Sequence, residues 1–433
     1  MSPVQVAPNR TTLRQGSVQV TTLSNGLRVA TDSMPDVQSV SLGCWVGVGT
    51  RNEAASVNGV AHLVEHMLFK GTERRSAFRI SEEIENVGGQ LNAYTTREHT
   101  AYYAKVLHED TGLALDLIAD MLQNSLIDAE ELTRERAVVL QEIGQAADTP
   151  DDIIFDHFQA TAFPDQALGR AVLGSAEIVG ALPREALVDY VGRNYGASSI
   201  VLSAAGRIEH DRFVALAEKA FARLPKGDVR DPEPARYMGG DFREARDLEQ
   251  MHLVLGFDGV GVHDPDFYAH SVFSTLLGGG MSSRLFQEVR EKRGLVYSIY
   301  SFASAYRDGG LFGVYAGTGE EEVAELVPVV CDEIAKVAHE VTEDEVARAR
   351  AQLRAGTLMG LEGTMSRCET LGQQLLVYDR PIPVEEVVEK IGAVDRAAVI
   401  RVAERLRRSR PTVAALGPLD RLEDYDRIAA RLA

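Results

Sequence analysis

The amino-acid sequence predicts an α+β protein made of two homologous halves, each a sheet with helices packed on one face. Three observations predict it. The chain has 433 residues, too many for one ordinary domain and suited to two of roughly 200. Segments of alternating polarity are interleaved with long amphipathic ones. The order of elements in the first half also recurs after residue 245.

Residues 1–17 (MSPVQVAPNRTTLRQGS) show no periodicity and are expected to be a flexible N-terminal tail. They lack the apolar core of about 7–15 residues that a secretory signal needs. Residues 18–31 alternate around Asn25-Gly26, a hairpin signal. Val40–Val48 reads as a buried strand ending in a turn at Gly49–Asn52. A short apolar helix follows and stops at Gly71-Thr72, and Ser76–Val87 is amphipathic up to Gly88-Gly89. The stretch QLNAYTTREHTAYYAKVL (90–107) reads as a strand pair. Helices are expected over 111–124 and 128–145, a helical region over 151–195, a strand over 200–206 and a helix over 210–223. Together 18–223 form the first domain. Residues 224–245 carry Pro, Gly, Asp and Arg without periodicity and are expected to be the linker.

The second domain, 246–433, repeats the order. A strand is expected at 251–256, a helix at 268–277, a Gly278–Gly280 turn and a helix at 282–292. Strands at 295–303 and 310–317 follow, then helices at 319–338 and 342–360. Asp128–Leu132 and Thr342–Val346 open corresponding helices. Setting Glu131 on Glu345 places Glu135 opposite Ala349 and Glu142 opposite Gly356. An offset of 208 sets His62 on His270, Glu65 on Phe273 and His66 on Ser274. The second half reads as a copy without the polar set of the first.

Composition narrows the function. Hydrophobic residues make up 45% and charged residues 25%, as in a globular protein. The net charge of −19 argues against nucleic-acid binding and suits basic peptides. Cys44, Cys331 and Cys368 are too far apart in sequence to suggest a disulfide framework or a cysteine metal site. No apolar run reaches the ~18–20 residues of a membrane span, so a cytoplasmic protein is expected.

The chemistry is concentrated in VAHLVEHMLF (60–69). On a helix His62 and His66 lie one turn apart on one face, as two ligands of one Zn²⁺ must. Glu65 sits on the same side, placed to take a proton from a metal-bound water. Two histidines on an apolar helix can instead be hydrogen-bonded and inert. The spacing His-x-x-Glu-His is the inverzincin pattern, and roughly 0.02 chance occurrences are expected in such a chain. A third ligand is required. Glu135 and Glu142 share one face of the acidic helix, and periodicity does not choose between them.

HLVEHMLFKGT (62–72) followed by RERAVVLQEI (134–143) resembles the pitrilysin, insulysin and mitochondrial processing peptidase family, and the chain looks like a half-length, bacterial-type member of it. The resemblance implies two processing-peptidase-like domains with mostly antiparallel sheets, the first catalytic and the second silent. It implies that Glu142, 76 residues beyond His66, completes the zinc site and that Glu135 supports it. It places a substrate-binding edge strand at Leu91–Thr95, with Asn92, Ala93 and Tyr94 at the peptide. Arg290 and Tyr297 resemble the family's Arg-x6-Tyr pair, which reaches the substrate and the tetrahedral intermediate from the silent domain. The Gly278–Gly280 turn is much shorter than the glycine-rich loop of the processing peptidase's non-catalytic subunit, which speaks against presequence recognition.

The expectation is therefore a zinc endopeptidase of unfolded peptides with one Zn²⁺ in its catalytic domain, working as a homodimer. The alternatives are a partner-dependent subunit of a heterodimer and a non-catalytic scaffold like the core subunits of the cytochrome bc complex. The nitrogen and oxygen ligand set leaves manganese and cobalt open.

Overall fold

The structure, a computed structural model, describes residues 11–228 and 231–432. The first ten residues of the expected tail lie outside the described residues. In chain order the elements are β1 (Thr11–Gln15), β2 (Val18–Thr22), β3 (Arg28–Ser33), β4 (Ser39–Val46), α1 (Val60–Leu68), α2 (Ala77–Glu85), β5 (Gln90–Thr95) and β6 (Thr100–Leu107). Then come α3 (Thr111–Asn124), α4 (Ala129–Ala147), α5 (Pro150–Ala162), α6 (Ala176–Ala181), α7 (Arg184–Asn194), β7 (Ile200–Gly206) and α8 (His210–Ala220). The second half holds β8 (Gly240–Ala245), β9 (Met251–Asp258), α9 (Phe267–Gly278), β10 (Val296–Ala305), β11 (Gly310–Thr318), α10 (Val323–Glu340) and α11 (Glu343–Gly360). It ends with α12 (Thr364–Tyr378), α13 (Val384–Gly392), α14 (Arg396–Arg407), β12 (Thr412–Gly417) and α15 (Tyr425–Leu432).

These elements form two compact units. The first unit's sheet has the order β1-β2-β3-β7-β4-β6-β5, antiparallel except for the β3–β7 pair. The expected hairpin is present: Gly26 takes φ 96°, which disfavours a side chain, and the Leu27 amide donates to Asn25 Oδ1. Central β4 is buried from residue 40 to 46 because both its faces are covered. Val40, Leu42, Cys44 and Val46 join α1 and α3 in the main core, whereas Trp45 faces Cys368 of α12 on the other side. The second unit's sheet has the order β10-β11-β9-β12-β8, antiparallel except for β12–β8. Its main core joins Leu253, Leu255 and Val314 to α9, α10 and α14. Its opposite face packs Val254 and Leu416 on Ile154 and Phe158 of α5.

The α+β architecture with a mostly antiparallel sheet in each half is as the sequence predicts. Each sheet also carries a single helix on its second face, and that helix comes from the other half of the chain. The units are thus not contiguous: α5 belongs to the second and α12 to the first. Glycines permit the close approach. A Cβ on Gly372 of α12 would stand 2.6 Å from the Trp45 ring, and one on Gly256 of β9 would stand 2.3 Å from the Phe158 ring.

Three expected boundaries change. Residues 11–15 of the expected tail form β1, which pairs with β2 and sets Thr12 Oγ1 2.8 Å from Thr21 Oγ1. The last six residues of the expected linker form β8. Both are edge strands with little apolar content, so hydrophobic alternation does not reveal them. The helical region 151–195 is interrupted between Ala162 and Ala176, where Pro164 is followed by Asp165 at φ 56° and Gly174 at φ 76°. The expected helix at 282–292 contains a π-helical stretch, Phe286–Glu291. Among the described residues, no helix is long and apolar enough to cross a membrane.

Candidate metal centre

The site begins with α1. Val60, Ala61, Leu63, Val64, Met67 and Leu68 are buried, which fixes the rotation of the helix and leaves His62, Glu65 and His66 half-buried on the remaining face. The N-terminus is held by a buried carboxylate. Glu53 Oε1 accepts from the Ala61 amide at 2.7 Å, and Oε2 accepts from the Gly59 amide at 2.9 Å and from Asn58 Nδ2 at 2.8 Å. An anion at a helix start is favoured by the orphan amides and the helix dipole.

The second helix of the site is α4, where Leu132, Glu135 and Val139 are buried and Glu142 continues the same face half-buried. His62, His66 and Glu142 each offer a ligand atom, all within 4.8 Å of one another, the only such group among the described residues. Glu142 Oε2 lies 3.8 Å from His62 Nε2 and 3.6 Å from His66 Nε2. Ligand bonds of about 2.0–2.1 Å in a tetrahedron require donor separations near ~3.3 Å, so a small closure of side chains suffices.

Electrostatics support a cation here. Burial, and then the neighbouring His66, lower the pKa of His62 to about 4, so at neutral pH its contact with Glu142 is not an ion pair. Glu142 Oε2 and His62 Nδ1 are buried with no hydrogen-bond partner. A buried carboxylate oxygen without compensation is costly. A divalent ion with two imidazoles and one carboxylate would remove that cost and keep a fourth position open.

Around the ligands, Glu135 Oε2 lies 3.0 Å from His66 Nδ1, and its Oε1 lies 2.7 Å from Lys70 Nζ. A carboxylate can only accept, so Nδ1 carries the proton and the Nε2 lone pair of His66 faces Glu142. Thr95 Oγ1 donates to Glu65 Oε2 at 2.6 Å. Burial raises the pKa of Glu65, and the Thr95 hydrogen bond offsets only part of that rise.

β5 is an edge strand of the first sheet. Asn92 is exposed and its Oδ1 accepts from the Ala93 amide at 2.8 Å, while Ala93 is buried against the core. A cleft of about 460 Å³ follows the strand, bounded by Phe69, Ile84, Leu91, Asn92, Tyr103 and Met365. The Tyr94 side chain lies on the face opposite Ala93, where its hydroxyl donates to Glu369. Arg290 and Tyr297 lie together in the second unit, the guanidinium carbon 5.4 Å from the Tyr297 ring centre and 4.8 Å from that of Phe286. Tyr297 is 77% exposed.

Sequence reasoning missed Glu53, Lys70 and the contact of Thr95. Lys70, four residues after His66, was findable from helical spacing. Thr95 alternates with Ala93 toward α1. Glu53 has no periodic signal, since its three donors come from the turn before α1 and the first turn of that helix.

Comparison with known proteins shows the family. A family model described as insulinase (peptidase family M16) matches residues 28–176, and one described as the peptidase M16 inactive domain matches 181–353. An uncharacterized zinc protease of Streptomyces coelicolor is 41% identical over 96% of this chain and 92% of its own length. One of Mycobacterium tuberculosis is 43% identical over 92% of each. A probable mitochondrial-processing peptidase subunit beta of Arabidopsis thaliana is 39% identical over 95% of this chain and 81% of its own. A chain of complex III2 from Candida albicans shares the fold with a TM-score of 0.85 at 23% identity, covering 96% of this chain and 99% of that one. By these matches, the chain belongs to the insulinase family of peptidases, family M16.

Proposed function

We propose that the chain is a zinc-dependent endopeptidase of unfolded peptides, with His62, His66 and Glu142 as zinc ligands. The observation that carries this is the partnerless buried Oε2 of Glu142, 3.6 and 3.8 Å from two imidazole Nε2 atoms. Zinc held there supplies a Lewis acid for the scissile carbonyl and lowers the pKa of water.

The chain's own side chains do the rest. Glu65 accepts the proton of the attacking water and returns it to the leaving amine. Its raised pKa brings it nearer the working pH, and Thr95 holds its carboxylate in place. Glu135, neutralised by Lys70, fixes the tautomer of His66. The free edge of β5 takes the substrate as an added strand, with Asn92 and Ala93 at its backbone, which selects extended chains. Arg290 and Tyr297 are assigned the substrate-contacting role the family pattern implies, supported by their adjacency and the exposure of Tyr297. Because one chain carries both the ligand set and this pair, a homodimer is favoured.

A second reading, a subunit inert without a different partner, is favoured by the relative named as a processing-peptidase subunit. One experiment separates the two: cleavage of a mixed library of short unstructured peptides by the purified chain, with zinc and with a chelator. Chelator-sensitive cleavage, reduced by about 10²–10⁴-fold in Glu65→Gln with zinc retained, supports the enzyme. Stoichiometric zinc without cleavage supports the partner-dependent subunit. The absence of both sinks the metal site.

A further inference from the structure

One side of α12 is turned toward β5. Met365, Glu369 and Gln373 recur at four-residue spacing and so share that side. Met365 borders the cleft along the strand, and the other two hold Tyr94. The Tyr94 hydroxyl donates to Glu369 Oε1 at 2.5 Å. Gln373 Nε2 donates to the Tyr94 oxygen at 3.3 Å and to Glu369 Oε1 at 3.2 Å. His99, whose Nδ1 lies 3.0 Å from Thr96 Oγ1, brings its Nε2 within 3.4 Å of the same hydroxyl. Burial and the Glu369 charge both raise the Tyr94 pKa, so the phenol stays a donor.

The two elements joined by these bonds differ in how they are held. α12 is fixed elsewhere: Ser203 Oγ donates to the Cys368 carbonyl at 2.8 Å and Arg28 Nη1 to the Leu375 carbonyl at 2.6 Å, while the Thr364 and Ser41 hydroxyls lie 2.8 Å apart. The ring of Trp45 lies against the backbone of Gly372. β5, in contrast, has a strand neighbour on one side only. An edge strand opens at low cost unless contacts on its faces hold it.

We infer that Tyr94, Glu369 and Gln373 form a tether by which α12 fixes the edge strand β5 for peptide addition. Tyr94 is then a positioning residue and does not touch substrate. The sequence half without the metal motif contributes the helix that sets the receiving strand in the metal-bearing unit. The substrate part of this inference rests on the peptidase reading; the tether itself does not.

The test uses the full chain with zinc, comparing wild type with Tyr94→Phe, Glu369→Ala and Glu369→Gln. In hydrogen–deuterium exchange, Tyr94→Phe and Glu369→Ala are expected to speed the amides of residues 90–95 about tenfold, the factor lost with one charge-assisted hydrogen bond. Exchange in α1 and zinc content stay unchanged, and Glu369→Gln, which keeps an acceptor, restores most of the protection. With a quenched fluorogenic peptide that wild type cleaves, KM rises by a similar factor and kcat changes less. Unchanged exchange at 90–95, or equal acceleration throughout the unit, overturns the tether. Faster exchange with an unchanged KM overturns its role in substrate binding. If wild type cleaves no peptide, the peptidase reading fails while the exchange result still decides the tether.

Discussion

α1 and α9 occupy corresponding places, each on the main-core face of its sheet and against an edge strand, β5 and β10 respectively. On α1 the three polar side chains are half-buried around an unpartnered carboxylate oxygen. On α9 the corresponding positions are closed. Phe273 is fully buried in the core, where α1 has Glu65. Ser274, where α1 has His66, lies against β10, its carbonyl accepting from Ser301 Oγ at 2.6 Å. His270 aligns in sequence with His62, but it is 3% exposed and its Nε2 has no partner. In the aligned sequence, α11 carries Ala349 and Gly356 where α4 has Glu135 and Glu142. The scaffold supplies a helix face beside an edge strand, and four side chains make one of the two faces a candidate metal site.

Removing the proposed ligands from α1 and α4 should make the first unit resemble the second. Glu142→Ala and His66→Ala are expected to weaken zinc binding by more than about 100-fold, the upper range for outer-shell partners. Competition against a chromophoric chelator reads this directly, and near-wild-type affinity in either variant would break the ligand assignment. Glu135→Gln leaves the proposed ligands and exchanges the charged acceptor that fixes His66 for a neutral amide, so a loss of about 10–100-fold in zinc affinity is expected by the same measurement. Lys70→Met should cost less, about tenfold or below, because it acts only through Glu135; a larger loss than in Glu135→Gln would contradict that order.

A different kind of effect belongs to the second unit. Burial holds His270 down to about 4, against about 6.5 for a free imidazole. The unfolded chain takes up a proton between those values and the folded chain does not. Its contribution therefore lowers stability as pH falls from about 6.5 to about 4. His270→Leu should reduce that loss by on the order of 1–3 kcal/mol, read from urea unfolding at both ends of the range.

What was legible in the sequence was local. His62, Glu65 and His66 fall within two turns of one helix, and Asn25-Gly26 announces its own hairpin. Glu142 was reachable only through the family spacing, because helical periodicity treats Glu135 and Glu142 alike. Their difference is tertiary: Glu135 is tied on both oxygens to His66 and Lys70, while Glu142 Oε2 is tied to nothing. Glu369 was invisible for the same reason, since its partner Tyr94 lies 275 positions away. β1 and β8 escaped notice because edge strands need no apolar alternation.

The exchange of α5 and α12 has a consequence during synthesis. Trp45, Ala101, Val201 and Ala205 emerge from the ribosome early, yet the helix that covers them ends at residue 378. The nascent first half therefore carries a bare apolar sheet face until most of the message has been translated, a state in which aggregation competes with folding. A fragment released before residue 364 would keep every proposed metal ligand and still lack its cover. Such a chain would need a chaperone to hold it, or a separately supplied α12 peptide to finish it.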